Sequence, residues 1–183
     1  MQNIPIFDTS YLVTQDDYVD FALAQRKFFR KRDNRILFKV MGILSVCIGV
    51  GTYIFLGSKS NIYQKICWCA LIVIGLYLLF YYDVIDVSLT ITEAKRFYAR
   101  NPKSMTAKQV ILTAENVSIR SENYEGDIPI KYIYKIVDGK NTIIFYFDKI
   151  NYCIVPKRVL SEEQMERFGK FVLDLPENKY KKL

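Results

Sequence analysis

Histidine is absent from this chain of 183 residues, and with it the side chain that most often serves as a catalytic base or a metal ligand. The common catalytic motifs are absent too: there is no Gly-x-Ser-x-Gly, no phosphate-binding Walker loop and no glycine-rich dinucleotide turn. Asp16 and Asp17 are adjacent, so on a helix their carboxylates point apart and do not form a catalytic pair. These absences predict that the protein is not an enzyme and uses no cofactor.

Cysteine is scarce, and its four residues lack the spacing of a metal site. Zinc sites pair cysteine or histidine ligands at characteristic separations, whereas Cys67 and Cys69 are separated by a single residue. Cys47 lies in an apolar run and Cys153 in a predicted strand. We therefore predict that all four pack as small apolar side chains and that no metal is bound.

Two long apolar runs are the most informative feature that the sequence does contain. Residues 36–56 and 66–85 are each about twenty residues long, enough to cross a hydrocarbon core of roughly 30 Å as helices. The segment between them, residues 57–65, is short and polar. The sequence therefore predicts a transmembrane helical hairpin over residues 36–85. A long polar stretch precedes the first run, which argues against a secretory signal peptide.

Basic residues flank the hairpin on the side of the two termini, and the formal net charge is +7. Because short segments rich in Lys and Arg stay in the cytoplasm, both termini are predicted to be cytoplasmic and residues 57–65 to form an outer loop. A basic cluster beside a membrane span is typical of contact with anionic lipid headgroups rather than nucleic acid. The members of this basic cluster are Arg26, Lys27, Arg30, Lys31, Arg32 and Arg35.

Small residues recur on one face of the first apolar run. Such a face lets two helix backbones approach closely in lipid. We favour packing of this face against the second run, with homodimerisation as the alternative. The four residues are Gly42, Ser45, Gly49 and Thr52.

The polar segments next to the hairpin are predicted to be regular. Residues 1–35 are expected to hold a strand and then an amphipathic helix that begins after Thr14, a good N-cap residue. The apolar stripe of this helix faces either lipid or the C-terminal domain. Residues 86–103 are expected to continue the second span as a helix, which ends near Asn101 and Pro102.

The C-terminal pattern changes to strands. Residues 104–176 are predicted to form a domain of some five short antiparallel strands, one of them over residues 128–136, followed by a helix. Ser161 and Gln164 have the spacing of a capping box at the start of that helix. Residues 177–183 are predicted to be a polar, mobile tail.

Three stretches of the C-terminal domain carry a family resemblance. They are Ile-Pro-Ile-Lys-Tyr-Ile-Tyr-Lys-Ile at 128–136, residues 141–147, and Ile-Val-Pro-Lys-Arg at 154–158 followed by Ser-Glu-Glu-Gln-Met at 161–165. This region resembles the YcxB-like family of bacterial membrane proteins, and the layout of the rest of the chain is similar as well. Ile130 stands where family members often carry Trp.

The resemblance implies a location in the bacterial cytoplasmic membrane. It also implies a pleckstrin-homology-like antiparallel half-barrel closed by a helix, and so an α+β membrane protein. It supplies no catalytic residues.

Two groups are candidate contact sites in this domain. Lys157 and Arg158 precede a helix N-terminus, where a phosphate or an acidic peptide can bind; the alternative is a purely structural strand-to-helix corner. Alternation along the strand places Tyr146 on the face opposite Phe145, and tyrosine is enriched at protein interfaces. Tyr146 and Tyr132 are therefore predicted partner contacts.

These observations predict a non-enzymatic, multi-pass inner-membrane protein that presents its cytoplasmic domain to a protein or lipid partner. The expected partners are the lipid bilayer and a protein or a second copy of the chain, with no nucleic acid. Two alternatives stay open: an immunity protein that protects the membrane against a secreted or contact-delivered toxin, and an accessory subunit of a membrane complex.

Overall fold

The computed structural model describes residues 5–29, 32–57, 59–101, 107–122 and 124–183, with the side chains of residues 32 and 33 excepted. These residues form two compact units. The hairpin unit runs from Phe29 to Leu89, and the β unit contains the residues up to Phe28 and from Thr90 onward.

The hairpin unit is built from two long helices. Helix α2 covers Arg32–Leu56 and helix α3 covers Ile62–Phe80. Helix α3 begins earlier than the apolar run because Asn61 caps it: the Gln64 N–H donates to the Asn61 side chain at 3.0 Å, and the Gln64 side chain accepts from the Asn61 N–H at 3.1 Å. The connection between the helices is correspondingly shorter than predicted.

The second helical run does not end at the predicted boundary of the span. A π-helical turn, Tyr81–Ile85, follows α3 and leads directly into helix α4, Asp86–Arg100. The predicted helical continuation beyond residue 85 is therefore confirmed as far as Arg100. Pro102 lies outside the described residues.

Close backbone contact joins α2 and α3. A Cβ atom placed on Gly75 would lie 2.8 Å from the Gly42 carbonyl oxygen and 2.6 Å from Val46 Cγ2, closer than real Cβ contacts. A Cβ on Gly49 would lie 2.8 Å from Ile72 Cγ1. Small residues at these points allow the backbones of the two helices to approach closely.

The polar members of the small-residue face satisfy their hydroxyl groups on helix backbone. Ser45 donates to the Leu71 carbonyl across the helix pair at 3.0 Å. Thr52 donates within its own helix, to the Ile48 carbonyl at 2.7 Å. Gly42, Ser45 and Gly49 thus lie against α3, whereas the Thr52 hydroxyl is used inside α2.

Replacing Gly75 by alanine is expected to destabilise the helix pair by about 1–2 kcal/mol, because the added methyl overlaps backbone atoms that cannot move without separating the helices. Gly51→Ala is the matched control, since a Cβ there meets no atom within 4 Å. Trp68, the only tryptophan, lies 6.5 Å from the Tyr53 ring across the pair and reports unfolding of the hairpin by fluorescence. Equal destabilisation by both substitutions would contradict the close contact at Gly75.

The β unit contains two four-stranded sheets. The order in the first sheet is β1-β2-β3-β4, and neighbouring strands in it are antiparallel. The second sheet has the order β7-β6-β5-β8, with β8 parallel to β5. The strands are β1 (Phe7–Tyr11), β2 (Lys108–Leu112), β3 (Asn116–Ser121), β4 (Tyr124–Pro129), β5 (Lys135–Asp138), β6 (Thr142–Tyr146), β7 (Tyr152–Pro156) and β8 (Tyr180–Lys182).

Helices α1 (Gln15–Phe29) and α5 (Glu162–Leu173) complete the β unit, together with the part of α4 from Thr90 to Arg100. Helix α1 follows β1, and helix α5 follows β7. Phe168 of α5 packs on Phe7 of β1, with ring centroids 6.4 Å apart. Both side chains are almost fully buried, so β1 and α5 share one core.

The single strand predicted over residues 128–136 is wrong. Strand β4 ends at Pro129, a turn of 3-10 helix covers Ile130–Tyr132, and β5 begins at Lys135. Proline has no N–H to donate to a ladder, so the chain leaves the first sheet there and enters the second. Ile130 is buried at this crossing.

The prediction of a mobile tail over residues 177–183 is also wrong. The segment Tyr180–Lys182 pairs with Ile136–Asp138 as a parallel strand. The Tyr180 hydroxyl donates to the Asp138 carboxylate at 2.8 Å. The polar composition of these residues suggested mobility, but the sequence does not show that β5 has an open edge with which they can pair.

The apolar stripe of α1 packs on the second sheet, which decides between the two environments left open by the sequence. Phe21 is 1% exposed and stacks on Tyr152 with ring centroids 4.5 Å apart. Phe28 stacks on Tyr146 at 5.5 Å. The N-terminal strand and helix are therefore part of the same folded unit as the C-terminal strands.

Candidate functional site

The predicted corner between strand and helix is present. Lys157 and Arg158 lie in a 3-10 turn between β7 and α5. The capping box that starts α5 is confirmed: the Gln164 N–H donates to Ser161 Oγ at 3.2 Å, and the Gln164 side chain accepts from the Ser161 N–H at 2.9 Å. Both cations are thus held just before a helix N-terminus, as the sequence indicates.

Each of these two cations is already bound to a carboxylate. Lys157 Nζ lies 2.5 Å from Asp138 Oδ1 and donates to the Gly139 carbonyl at 2.7 Å. Arg158 makes two bonds to Asp17, Nε to Oδ1 at 3.0 Å and Nη2 to Oδ2 at 2.7 Å. A bidentate guanidinium–carboxylate ion pair of this kind is among the stronger charge-assisted hydrogen-bonded contacts.

The Asp17 carboxylate has a second role at the start of α1. It accepts from the Thr14 N–H at 2.8 Å, while the Asp17 N–H donates back to Thr14 Oγ1 at 3.3 Å. Burial acts to raise the pKa of Asp17, but the hydrogen bonds from Arg158 and Thr14 outweigh it and hold the pKa below 3.8. Asp17 therefore joins the cap of α1 to the corner before α5.

The cavity beside this corner carries more negative than positive side chains. Its volume is about 450 Å³, and Asp16, Asp17 and Asp20 line it together with Lys157 and Arg158. An anion placed there would compete with carboxylates that the cations already bind. The geometry supports the structural alternative for this corner, a link between α1, the β5–β6 turn and α5.

The prediction that Tyr146 is a partner contact is wrong. Its side chain is fully buried, and its ring lies between Phe28 at 5.5 Å and Tyr152 at 6.1 Å. Helix α1 covers the face of β6 that strand alternation left open. Tyr132, in contrast, is 67% exposed, and Lys131 Nζ lies 4.9 Å from the centre of its ring.

The predicted basic cluster is described only in part. Arg26 and Lys27 lie in the last turn of α1. Arg35 lies on α2 and forms an ion pair with Asp83 at 2.6 Å. Arg30, Lys31 and the side chain of Arg32 lie outside the described residues.

A groove that the sequence did not indicate opens between the two sheets. Its volume is about 470 Å³, and it lies between β4 and β7, which each form an edge of their sheet. The lining is apolar on the inside, with polar and aromatic side chains at the rim. It consists of Lys108, Ile119, Ser121, Tyr124, Ile128, Phe147, Asp148, Asn151, Tyr152 and Cys153.

The rim of this groove is ordered by local contacts. The Asp148 carboxylate accepts from the N–H groups of Ile150 and Asn151, each at 2.6 Å, which fixes the β6–β7 turn. The backbone hydrogen bond from Asn151 is the main reason that the pKa of Asp148 lies below its ordinary value. Tyr124 is 52% exposed, and its hydroxyl oxygen would lie 2.5 Å from a Cβ on Gly126. The ring can fold over the strand because Gly126 has no side chain.

The inner wall of the groove offers no reactive thiolate. Cys153 is buried, and burial raises the pKa of its thiol, so the thiolate is disfavoured. Its sulfur lies 3.8 Å from the Tyr11 hydroxyl. Ile119 is 5% exposed beside it. These side chains offer an apolar surface to a bound group.

Comparison with known families places this groove in a recognised domain. Residues 112–172 match the family model for YcxB-like protein. They form a YcxB-like domain, which runs from the end of β2 into α5 and includes every lining residue of the groove except Lys108. The predicted resemblance is confirmed for this C-terminal region. No curated protein matches the chain, and no solved structure does.

Strand β1 and helix α1 lie outside the matched residues, although they fold in the same unit as the YcxB-like domain. In the part of the chain that the structure describes, two helices are long and apolar enough to cross a membrane, Asn34–Leu56 and the run that begins at Ile62.

Proposed function

We propose that the protein is a non-enzymatic binding protein of the bacterial cytoplasmic membrane. The hairpin unit anchors it by crossing the bilayer twice, and the YcxB-like domain binds an extended segment of a partner protein on the cytoplasmic side. The groove between β4 and β7 is the observation that carries the binding half of this proposal.

The exposed apolar surface of the hairpin unit supports the anchor. In the most apolar windows of the two long helices, only 11% and 6% of the residues are buried. A core helix of a soluble protein is mostly covered, whereas these side chains would meet water without a bilayer. The basic residues next to the hairpin support the orientation with both termini inside.

The open edge of the first sheet supports an extended peptide as the ligand. Strand β4 ends its sheet in the described part of the chain and its residues are exposed or half-buried, so it has a row of backbone groups that is open to pairing. Most of β7, in contrast, is buried, and its Ile154 carbonyl already accepts from the Tyr11 hydroxyl. A peptide added to such an edge obtains affinity from main-chain hydrogen bonds and specificity from adjacent pockets. Tyr124 at the rim is the natural anchor, since half-exposed tyrosine is favoured in interfaces.

The strand order supports the finer proposal of a pleckstrin-homology-like fold. Strands β1–β4 and β5–β7 follow one another as antiparallel neighbours within their sheets, and α5 is the first α-helix after β7, from which a 3-10 turn separates it. An antiparallel half-barrel closed by a C-terminal helix would have this order of elements, and the order therefore supports the proposal.

Photo-crosslinking in native membranes tests the groove. We expect a photoreactive amino acid at position 124 of the full chain to give a discrete protein adduct, and the same probe at position 170 to give none. Lys170 is the control because it is exposed on α5, away from the groove lining. Adducts that are equal at both positions, or adducts with lipid alone at position 124, would count against the peptide groove.

The identity of the adduct separates the remaining alternatives. A toxin indicates an immunity protein, a subunit of a membrane assembly indicates an accessory role, and a second copy of the chain indicates a homo-oligomer. Retention of the chain in the membrane pellet after alkaline extraction tests the anchor in the same preparation. Release of the chain would contradict the membrane half of the proposal.

A further inference from the structure

Three charged side chains meet at the end of the hairpin that lies farthest from the loop connecting its two helices. Arg35 Nη2 lies 2.6 Å from Asp83 Oδ1, and Lys39 Nζ lies 2.7 Å from Asp83 Oδ2. Arg35 and Lys39 belong to α2, and Asp83 belongs to the π-helical turn after α3. We name these residues the inner triad.

The position of the inner triad along the hairpin matches a membrane boundary. At 1.5 Å per residue, Lys39 lies about 26 Å along α2 from its loop end, and Arg35 lies about 32 Å from it. Asp83 lies about 32 Å along the other run from Ile62. The hydrocarbon core is roughly 30 Å thick, so a hairpin whose loop is at one surface places the triad at the opposite headgroup layer.

The inner triad has one positive charge in excess. Its single carboxylate binds two cations, one through each oxygen. Within the described part of the chain, Arg35 donates through Nη2 and Lys39 contacts Asp83, which leaves further N–H groups on both cations for an external acceptor. The side chains of Arg35 and Lys39 are 52% and 39% exposed, so such an acceptor can reach them.

A local irregularity of the helix surrounds Asp83, whose side chain contacts α2. The π-helical turn Tyr81–Ile85 changes the helical phase at Asp83, and turns of this kind are frequent at functional sites. Beside it, the Phe38 ring lies 5.0 Å from Tyr82 and 6.1 Å from Tyr81. Aromatic rings of this type are typical of the interfacial layer of a membrane.

We propose that the inner triad is a binding site for the phosphate of an anionic phospholipid headgroup. Arg35 and Lys39 donate to the phosphate oxygens, which compete with the Asp83 carboxylate for the two cations. This inference rests on the proposed insertion of the hairpin and adds to it a ligand class and a site.

Lipid retention in nanodiscs tests the site with the full chain. The nanodiscs contain zwitterionic phosphatidylcholine with a minor fraction of phosphatidylglycerol, and native mass spectrometry counts the phosphatidylglycerol that stays bound. Lys39→Gln is expected to lower retention of phosphatidylglycerol about threefold to tenfold, because one charge-assisted contact to the phosphate is lost. Lys59→Gln is the matched control, since it removes one exposed cation at the loop end of the same hairpin, and it is expected to change nothing.

Asp83→Asn distinguishes a headgroup site from a simple ion-pair lock. It removes the competing carboxylate, so it is expected to raise retention of phosphatidylglycerol about threefold, whereas a lock without a ligand predicts no gain. A fall with Asp83→Asn, or equal effects of Lys39→Gln and Lys59→Gln, would overturn the proposal. Displacement of phosphatidylglycerol by millimolar inorganic phosphate would overturn the lipid as the ligand.

The same samples separate this inference from the proposed function. Retention of the chain in the nanodisc with no preference for phosphatidylglycerol overturns the headgroup site alone. Loss of the chain from the nanodisc, whatever the lipid composition, overturns membrane insertion and the headgroup site together.

Discussion

Replacement of Phe21 by alanine is expected to lower the free energy of unfolding of the β unit by about 3–5 kcal/mol. Phe21 is 1% exposed, and its ring lies 4.5 Å from Tyr152 and 5.4 Å from Tyr18. Removing it leaves a cavity between α1 and the second sheet that close-packed neighbours cannot fill. The loss is expected to be large because the ring joins the N-terminal helix to a strand of the YcxB-like domain.

Hydrogen exchange of the full chain in detergent, followed by mass spectrometry, measures this effect. The amides of β6 and those of residues 152–155 in β7 are expected to exchange faster in Phe21→Ala by a factor that corresponds to the lost stability. Phe29→Ala is the control: it removes the same side chain from the same helix at a position that is 48% exposed, and the expected loss is below about 1 kcal/mol.

Packing of the apolar stripe of α1 on lipid, the alternative to packing on the second sheet, predicts a different result. If its apolar stripe lay on lipid, Phe21→Ala would weaken membrane retention and leave the exchange of the sheet amides unchanged. That outcome would contradict the packing of α1 on the second sheet.

The elements that could be predicted from sequence are those specified by short-range signals. The hairpin needs only two apolar runs of sufficient length, and the cap at Ser161 and Gln164 needs only two side chains three residues apart. Thr14 and Asp17 define the start of α1 in the same way. Such signals do not depend on what the rest of the chain does.

The errors arose where distant residues decide the structure. Apolar and aromatic residues continue on both sides of Pro129 over residues 128–136, so the composition alone does not reveal that the chain passes from one sheet to the other there. Tyr146 has the alternation of a half-exposed strand, but helix α1 covers it from more than a hundred residues away in sequence. The groove is lined by residues from Lys108 to Cys153 that only the packing of the two sheets brings together. No local signal indicates such a site.

Replacement of Asp17 by asparagine is expected to destabilise the β unit by about 2–3 kcal/mol. The carboxylate is 7% exposed, makes two bonds to Arg158 and accepts from the Thr14 N–H. Asparagine can keep one acceptor for the cap, but it loses the charge that pairs with Arg158. The expected loss is smaller than for a fully buried pair, because half of the Arg158 side chain is in solvent.

Asp16→Asn is the matched control for this substitution. It removes one carboxylate from the same helical turn, but Asp16 is exposed, so the expected change is within about 0.5 kcal/mol. Chemical unfolding of the full chain in detergent, with exchange of the β-unit amides as the readout, compares the two variants with the parent. Equal losses in both would show that only helix-dipole charge matters at this terminus.

Acid titration gives the same carboxylate a second test. The pKa of Asp17 in the folded protein lies below the ordinary 3.8, so the folded state favours the charged form. Its contribution to stability is therefore complete above about pH 4 and is lost as the pH falls through the folded pKa, when the unfolded chain already binds the proton. The parent protein is expected to lose stability more steeply than Asp17→Asn in this acidic range, and the two curves are expected to converge at the lowest pH. Parallel curves would contradict the assignment, because they would mean that Asp17 titrates alike in the folded and unfolded states and that its pair with Arg158 contributes nothing.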